Sequence, residues 1–520
     1  MAAPASMPAR PPQASSPRVS GRLEAACAAA IALGAVAARI WILRSTGVLT
    51  EDFLITLRYA ENIAAGRGIV YNPGEWVLGA TCPLYMMVLA AAARLGLDAA
   101  LAGRVLNILA DGATCLAVFS LFRMLGRPAA GLVAALLFAA TTAPIAASTG
   151  GMEAGLVTLA GLGAVHAHAR RRPVWMCAFL GLLWLLRADG LLLALFLLGA
   201  WLRREHRVPW RALAAGLLVA LPWTLFAWAV FGSPLPNSVT AKLAVYGAAR
   251  GGAPFPNLGE FQAQFAGGFV QKALLAAALY GAAAAWRHAP ALRAPLLWMA
   301  AYLSAMLLSR VPVFPWYWPP ILPFYYGCAG LGLSVLARAI LVRVPGLPAA
   351  PLKAGALLVL ALPLAAHLPA IRRDIANAQA LEDTVRRPLG LWLADTRNTR
   401  PTDRILTESI GYIGYYSRRP ILDAIGLVSP QVIPVYREAA NPLGEIVARF
   451  RPEVLALRPA ERDLVAAHPP ARFAERYRLA RCFPERSARP AYCVFLLQRG
   501  QKDKDVGPRS SAAEGERGGQ

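Results

Sequence analysis

Long apolar blocks separated by short polar stretches fill the chain as far as about residue 370. Many of them approach the roughly 20 residues needed to cross a bilayer. The pattern predicts a polytopic α-helical membrane protein with about eleven spans, at 24–43, 105–125, 128–147, 152–168, 174–187, 189–202, 211–231, 269–286, 294–311, 318–338 and 353–370. The apolar run Pro83–Leu95 is short for a span and reads as a helix lying in, or dipping into, the outer face. The runs 174–187 and 189–202 are also short, and "RADG" (Arg187–Gly190) separates them. Such a pair reads as broken or recessed, with Arg187 and Asp189 below the surface. Charge at that depth either ties helices together or lines a cavity. From about 371 the long apolar blocks stop. "RPEVLALR" and "AYCVFLLQR" read as strands and "DTVRRPLGLWLADT" as an amphipathic helix, so 371–500 reads as a mixed α/β domain. The expected organisation is a disordered cytoplasmic tail (1–22), a membrane module (23–370) with its first outer loop at 44–104, the extracytoplasmic α/β domain (371–500) and a disordered tail (501–520). The run beginning at Glu24 is long enough to read as a retained anchor rather than the shorter core of a signal peptide.

Composition agrees with a membrane class. The chain has 520 residues, 57% hydrophobic and 16% charged, against nearer a quarter charged in soluble proteins; its mean hydropathy is +0.46. The net charge of +24 would raise nucleic acid as a partner in a soluble chain. Here the arginines fall in short loops between apolar runs: "RRRP" from Arg170, "RREHR" from Arg203 and "RHAPALR" from Arg287. That is the pattern of cytoplasmic loops under the positive-inside rule, and no basic stretch interleaved with aromatics points to nucleic acid. With 83–95 omitted as a span, Arg123, Arg127, Arg170–Arg172, Arg203, Arg204, Arg287, Arg293, Arg338 and Arg343 all fall inside. This predicts a multi-pass membrane protein. Of seven cysteines, five lie in or beside apolar runs and read as small packing groups. Cys482 and Cys493 flank a plausible outer hairpin and can pair there.

The outer loops hold the candidate chemistry. Glu51 and Asp52 follow the first span directly. Carboxylates in a first helical turn complement the helix dipole, which explains them without function; the alternative is a catalytic carboxylate held at the membrane surface. Asp52, Thr56 and Tyr59 would share one helix face, while Phe53, Leu57, Ala60 and Ala64 would lie on the bilayer. Glu153 opens another span on the same side, "SPLPNSVTAKL" carries Asn237 and Lys242, and "RVPVFPWYWPP" carries Arg310, Trp316, Tyr317 and Trp318. Carboxylates and cations converging from separate loops suit deprotonation of a hydroxyl and capture of an anionic leaving group.

"EDFLITLRYAENIAAGRGIVYNPGEWVLGATCPLY" resembles the first outer loop of the GT-C glycosyltransferases. It is similar to the branch containing the mycobacterial cell-wall terminal arabinofuranosyltransferase, with its acidic pair, "I-x-x-R-Y", "G-x-G-x-V-x-N-P-G-E" and "T-x-P-L". "GMEAG", "RADG", "PNSVTAK" and "GYIGYYSRRPILDAIGL" resemble further segments of that branch; the resemblance covers about 50–430 with gaps. Glu51 stands where the branch has Asp, and Ala188 and Asp189 stand for Pro and Glu. The resemblance implies a polyprenyl-phosphate sugar donor, an acceptor hydroxyl on a glycan, lipid or protein, and inversion at the sugar carbon. Asp52 or Glu51 is then the base and Glu153 a second acidic residue. Lys242, Arg187 and Arg58 are the phosphate-holding candidates, and Tyr59, Asn72, Asn237 and Tyr317 candidate substrate contacts. No cofactor is fixed, and a divalent metal is left open. A lipid-linked-sugar transporter and a glycan-binding scaffold are the rival classes.

Overall fold

The computed structural model describes residues 17–249, 254–343, 368–484 and 490–498. In chain order the described helices include α1 (Pro17–Thr46), α2 (Glu51–Ala64), α3 (Pro83–Arg94), α4 (Ala99–Met124), α5 (Pro128–Ala140), α6 (Thr142–Gly150), α7 (Ala154–Ala169), α8 (Pro173–Leu186), α9 (Gly190–Glu205), α10 (Trp210–Phe231), α11 (Asn237–Ala249), α12 (Leu258–Ala266), α13 (Phe269–His288), α14 (Arg293–Leu308), α15 (Leu322–Arg343) and α16 (Arg387–Ala394), with shorter ones between the strands that follow. Proline opens α3, α5 and α8, where a missing N–H costs nothing. The chain divides into two units: residues 1–53, 81–229 and 252–376 form the first, and residues 54–80, 230–251 and 377–520 the second. Helix α2 begins in the first and continues in the second.

Among the described residues, five helical stretches are long and apolar enough to cross a membrane: Gly21–Thr46, Ala99–Met124, Trp210–Phe231, Phe269–His288 and Pro290–Leu308. The pair α5 and α6, bent by 55° at its break, passes the same test when taken together. The run expected at 128–147 is therefore two helices at an angle rather than one continuous helix. Helices α8 and α9, with 14 and 16 residues, are the short pair the pattern predicts; at 1.5 Å per residue neither covers a ~30 Å hydrocarbon core alone. The expected span 353–370 lies almost wholly outside the described residues. Leu218, Leu225 and Trp228 of α10 and Phe269 of α13 are exposed, as side chains that face lipid would be. Inside, Arg39 of α1 donates from Nε to Asp111 of α4 at 2.6 Å, both fully buried.

The second unit carries a five-stranded sheet of order β2-β1-β3-β5-β4. Its strands are β1 (Ile405–Thr407), β2 (Ile421–Asp423), β3 (Val454–Leu457), β4 (Tyr477–Pro484) and β5 (Pro490–Leu497). Strand β1 pairs in parallel with β2 and β3, and β5 runs antiparallel to β3 and β4. Every residue of β1, β2 and β3 is buried, which explains why β3 reads as an apolar run rather than an alternating one. Leu406, Leu422, Val447, Leu455, Val465 and Phe495 form its core. Cys482 and Cys493 are register partners on β4 and β5 and are disulfide-bonded, with Cα atoms 4.0 Å apart. Helix α16 follows a π turn at Glu382–Arg386, where Arg387 N–H bonds to Glu382 O. Pro388 supplies no N–H for the ordinary bond four residues back, which accounts for the widened turn.

Candidate functional site

The first unit gathers four of the singled-out outer segments at one end. Helix α6 stops at Gly150, and Gly151 takes φ +92°. The Phe53 ring occupies the space a Cβ on Gly151 would need, so both the backbone angle and the close approach require glycine there. Thr50 donates its backbone N–H to Gly150 O at 2.9 Å. The first turn of α2 is thus seated on the turn that leads into α7. Tyr85 O–H donates to Gly151 O at 2.7 Å, and Asn107 Nδ2 donates to Tyr85 Oη at 3.0 Å. This framework fixes Glu153 at the N-cap of α7, only 2% exposed. Glu51 and Asp52 are half-buried, and the charge of Asp52 acts on Glu153.

Arg187 reaches the same place from the turn between α8 and α9. Its backbone is extended (φ −162°), which ends α8. Its Nε and Nη2 donate to Asp189 at 3.2 and 2.8 Å, and its Nη1 lies 3.6 Å from Glu153 Oε1. The Tyr317 ring sits under the guanidinium, 4.6 Å to its centroid. Tyr302 O–H is within reach of Tyr317 O (3.1 Å) and of Asp189 Oδ2 (3.4 Å). The ion pair tying the turn together is therefore present. It engages two of the five guanidinium N–H groups, and N–H groups remain on both terminal nitrogens beside Glu153.

The structure assigns the other motif residues to the second unit, and three of them to its framework. Arg58 Nε donates to Tyr71 O (3.0 Å), Nη1 to Gly414 O (2.5 Å) and Tyr71 Oη (3.4 Å), and Nη2 to Arg419 O (2.7 Å) and Asn72 Oδ1 (3.3 Å). Five donors meet five acceptors, and none is left for a phosphate. Tyr59 is fully buried; its hydroxyl donates to Val77 O and accepts from Gly79 N–H. Asn72 is pinned to β2 through both directions of a bond with Ile421, at 2.8 and 2.9 Å. Asn237, which opens α11, donates to Gly426 O and Leu427 O at 2.6 and 3.0 Å. The Asn72 and Tyr59 side chains are thus closed off, and Asn237 holds a loop. Lys242 is half-buried on α11. Helix α2 also departs from its expected posture: Thr56, Arg58 and Tyr59 are buried along with Phe53, Leu57 and Ala60, so protein surrounds it on both faces rather than lipid on one. Gly414 is required by the same packing, because Tyr71 Oη fills the position of a Cβ.

Sequence reasoning did not single out Tyr302 or Tyr85, each a lone tyrosine in an apolar run, nor the role of Asp189 as the clamp on Arg187. Close to Tyr317, Trp318 is buried against Phe261 and Phe265 in edge-to-face contacts at 5.0 and 5.4 Å. These two phenylalanines also line an apolar cavity of about 320 Å³ with Leu275, Leu279, Leu303 and Tyr325. Among the described residues, no group of three or more His, Cys, Asp or Glu is placed to hold a metal ion.

No curated protein matches the chain. A family model described as "Domain of unknown function (DUF8728)" matches residues 373–495. Among solved structures, ArnT from Cupriavidus metallidurans bound to undecaprenyl phosphate is similar with a TM-score of 0.53 at 17% identity, over 90% of this chain and 98% of that one. The archaeal oligosaccharyltransferase AglB from Archaeoglobus fulgidus, in complex with an inhibitory peptide and a dolichol-phosphate, gives 0.58 at 13% identity, over 94% and 75%. The same organism's oligosaccharyltransferase tethered to an acceptor peptide containing the NVT sequon gives 0.60 at 14%, over 90% and 74%. At these identities the likeness shows the fold alone: the chain is folded like these three structures.

Proposed function

We propose that the chain is a membrane glycosyltransferase that moves a sugar from a polyprenyl-phosphate donor to a hydroxyl on a cell-envelope glycan, lipid or protein. The observation that carries this reading is Arg187: a buried guanidinium clamped by Asp189, with N–H groups left over, beside Glu153 and within the field of Asp52. In the reaction Asp52 takes the acceptor's O–H proton. The acceptor oxygen attacks the sugar's anomeric carbon from the face opposite the phosphate. The bond from that carbon to the phosphate oxygen breaks, and polyprenyl phosphate leaves with its charge held by Arg187. One displacement gives inversion. Asp52 is taken as the base, with Glu51 beside it as the alternative; Glu153 holds Arg187 and orients the acceptor. Lys242 is kept as a phosphate-holding candidate on the resemblance alone. The apolar cavity beside Phe261 and Phe265 suits isoprene units, and the lipid phosphates bound by ArnT and AglB support the donor class. The finer likeness, to the arabinofuranosyltransferase branch, rests on loop motifs and makes a lipid-linked arabinose the first donor to try. We also assign about eleven spans, an inner-membrane location and an extracytoplasmic C-terminal domain.

The test is a transfer assay in nanodiscs with polyprenyl-phosphate sugars and cell-envelope acceptors, read by mass spectrometry. Wild type should transfer, and Asp52→Asn should lose about 10²–10⁴-fold while folding normally; Glu51→Gln should stay near wild type. Movement of the lipid-linked sugar across the bilayer without transfer would favour the transporter class instead. Normal turnover in both variants would leave the acidic pair as first-turn carboxylates complementing the helix dipole.

A further inference from the structure

The loop "RVPVFPWYWPP" holds four aromatic side chains, and the structure treats them unequally. Trp318 is core. Phe314, Trp316 and Tyr317 are half-buried and stack on one another. The Phe314 and Trp316 rings are 4.8 Å apart and 4° from parallel; Tyr317 lies 6.3 Å from Phe314 at 27° and 6.5 Å from Trp316 at 30°. The three rings form one ordered panel, and its last ring underlies Arg187. The panel sits on a short 3₁₀ turn, Pro315–Tyr317. That turn is held from one side by Tyr302 and from the other by Trp318 against Phe261 and Phe265.

An interfacial aromatic belt would explain single rings that each enter the headgroup layer. It does not explain near-parallel rings in a proline-stiffened turn packed against a clamped guanidinium. We propose that Phe314, Trp316 and Tyr317 form a stacking platform for the sugar ring of the lipid-linked donor. This rests on the glycosyltransferase reading and adds the subsite that recognises the sugar. The chemistry of the surroundings points to that ligand. A pyranose or furanose has an apolar C–H face, which a flat π surface complements, and a rim of hydroxyls, which need acceptors. Glu153, Asp189 and Asp52 supply carboxylate oxygens at the same end of the unit. The phosphate is joined to the sugar through a single oxygen, so a phosphate on the remaining N–H groups of Arg187 brings the sugar beside the rings next to it. Face, rim and phosphate of one sugar phosphate each meet a matching group. Phe314 backs Trp316 and keeps its plane fixed, so that less ordering is left to be done on binding.

The experiment compares two ligands that differ only in the sugar. Full-length protein in nanodiscs is titrated with bare undecaprenyl phosphate and with undecaprenyl-phosphate-linked arabinose, mannose and glucose. Trp316→Leu should weaken the sugar-bearing ligand by about three- to tenfold, the range of one aromatic stacking contact, and leave the bare lipid phosphate unchanged. Trp316→Phe should keep most of the affinity. Phe314→Leu, which removes only the backing ring, should show the same selectivity at a smaller size and serves if the first variant folds poorly. Equal loss for both ligands would assign the panel to the fold or the lipid interface and overturn the platform. No loss for either would overturn it as well. Wild type that binds neither ligand would instead remove the glycosyltransferase reading on which the platform stands.

Discussion

Arg58 and Arg187 look alike in the sequence, each a lone arginine among apolar neighbours, and counting N–H groups separates them. All five of Arg58 are matched inside the second unit, whereas Arg187 has two on Asp189 and others facing Glu153. Arg58→Ala should therefore act on stability: several buried carbonyls lose a charged donor, a cost of about 2–4 kcal/mol. Its turnover per folded molecule should stay within a few-fold of wild type. Arg187→Gln also breaks a buried ion pair and should lower the melting temperature, but transfer per folded molecule should fall by at least about 10²-fold. Thermal melts and turnover measured on the same preparations decide the matter; loss of activity in Arg58→Ala at unchanged stability would restore it to the site. The loop motif itself was legible, but its meaning was not. Two acceptors for Arg58, Gly414 O and Arg419 O, come from more than 350 positions away, and no local pattern announces them. Gly411–Leu427 was recognisable as a related segment for the same reason that it was opaque: it is the other half of this contact.

At the scale of elements, β3 and β5 were legible as short apolar runs, and the hairpin because two cysteines bracket a polar turn; β1 and β2, three residues each and ending in Thr407 and Asp423, were not read as strands. Helix α2 was misread because its amphipathic pattern suggests a lipid face, while the residues opposite that face are buried too. The disulfide closes a small loop, so Cys482→Ser with Cys493→Ser should cost the second unit about 2–3 kcal/mol, seen as a lower melting temperature that reductant no longer affects. The turn after β2 makes a second test. Asp423 is fully buried and accepts N–H bonds from Ile425 and Val428 at 2.9 and 3.1 Å. Burial pushes its carboxyl up to about 6, outweighing those bonds, which favour the charged form. A carboxyl whose folded value is raised holds its proton more firmly in the native state. Its contribution is thus complete below the unfolded value near 4 and is lost as pH rises through 6. The second unit should melt higher at pH 5 than at pH 7, by the equivalent of about 1 kcal/mol from this group. In Asp423→Asn that difference should shrink. An unchanged pH slope in the variant would mean that Asp423 is ionised throughout.

For the whole molecule the remaining question is which loops share a side. Composition answers it only if Pro83–Leu95 does not cross, and the contacts of α3 supply the missing step. Tyr85 and Leu89, a turn apart on α3, both pack around Gly103 in the first turn of α4, and Tyr85 bonds to Gly151. Helix α3 therefore lies across the end where α4 starts instead of carrying the chain to the opposite end. From there the helices alternate. Helix α6 returns to Thr50, α7 leaves from Glu153, and α8 comes back to bring Arg187 to Glu153. Gly216, early in α10, packs on Cys177, early in α8, so both helices start at the far end. Late in α14, Tyr302 meets Tyr317 and Asp189 at the near end again. This sequence of contacts puts Glu51, Glu153, Arg187 and Tyr317 at one end, and Arg123, Arg127, Arg170–Arg172, Arg203 and Arg204 at the other. Ile371 and Ile375 pack with Ile42, near the end of α1, and with Ile145 of α6. Because the arginine-rich end is the one retained in the cytoplasm, a reporter fused after Arg172 should be active inside the cell and one fused after Pro420 outside it. A pair active in the same compartment would mean that 83–95 crosses after all. The carboxylates and Arg187 would then lie on the wrong face for a donor presented outside the membrane.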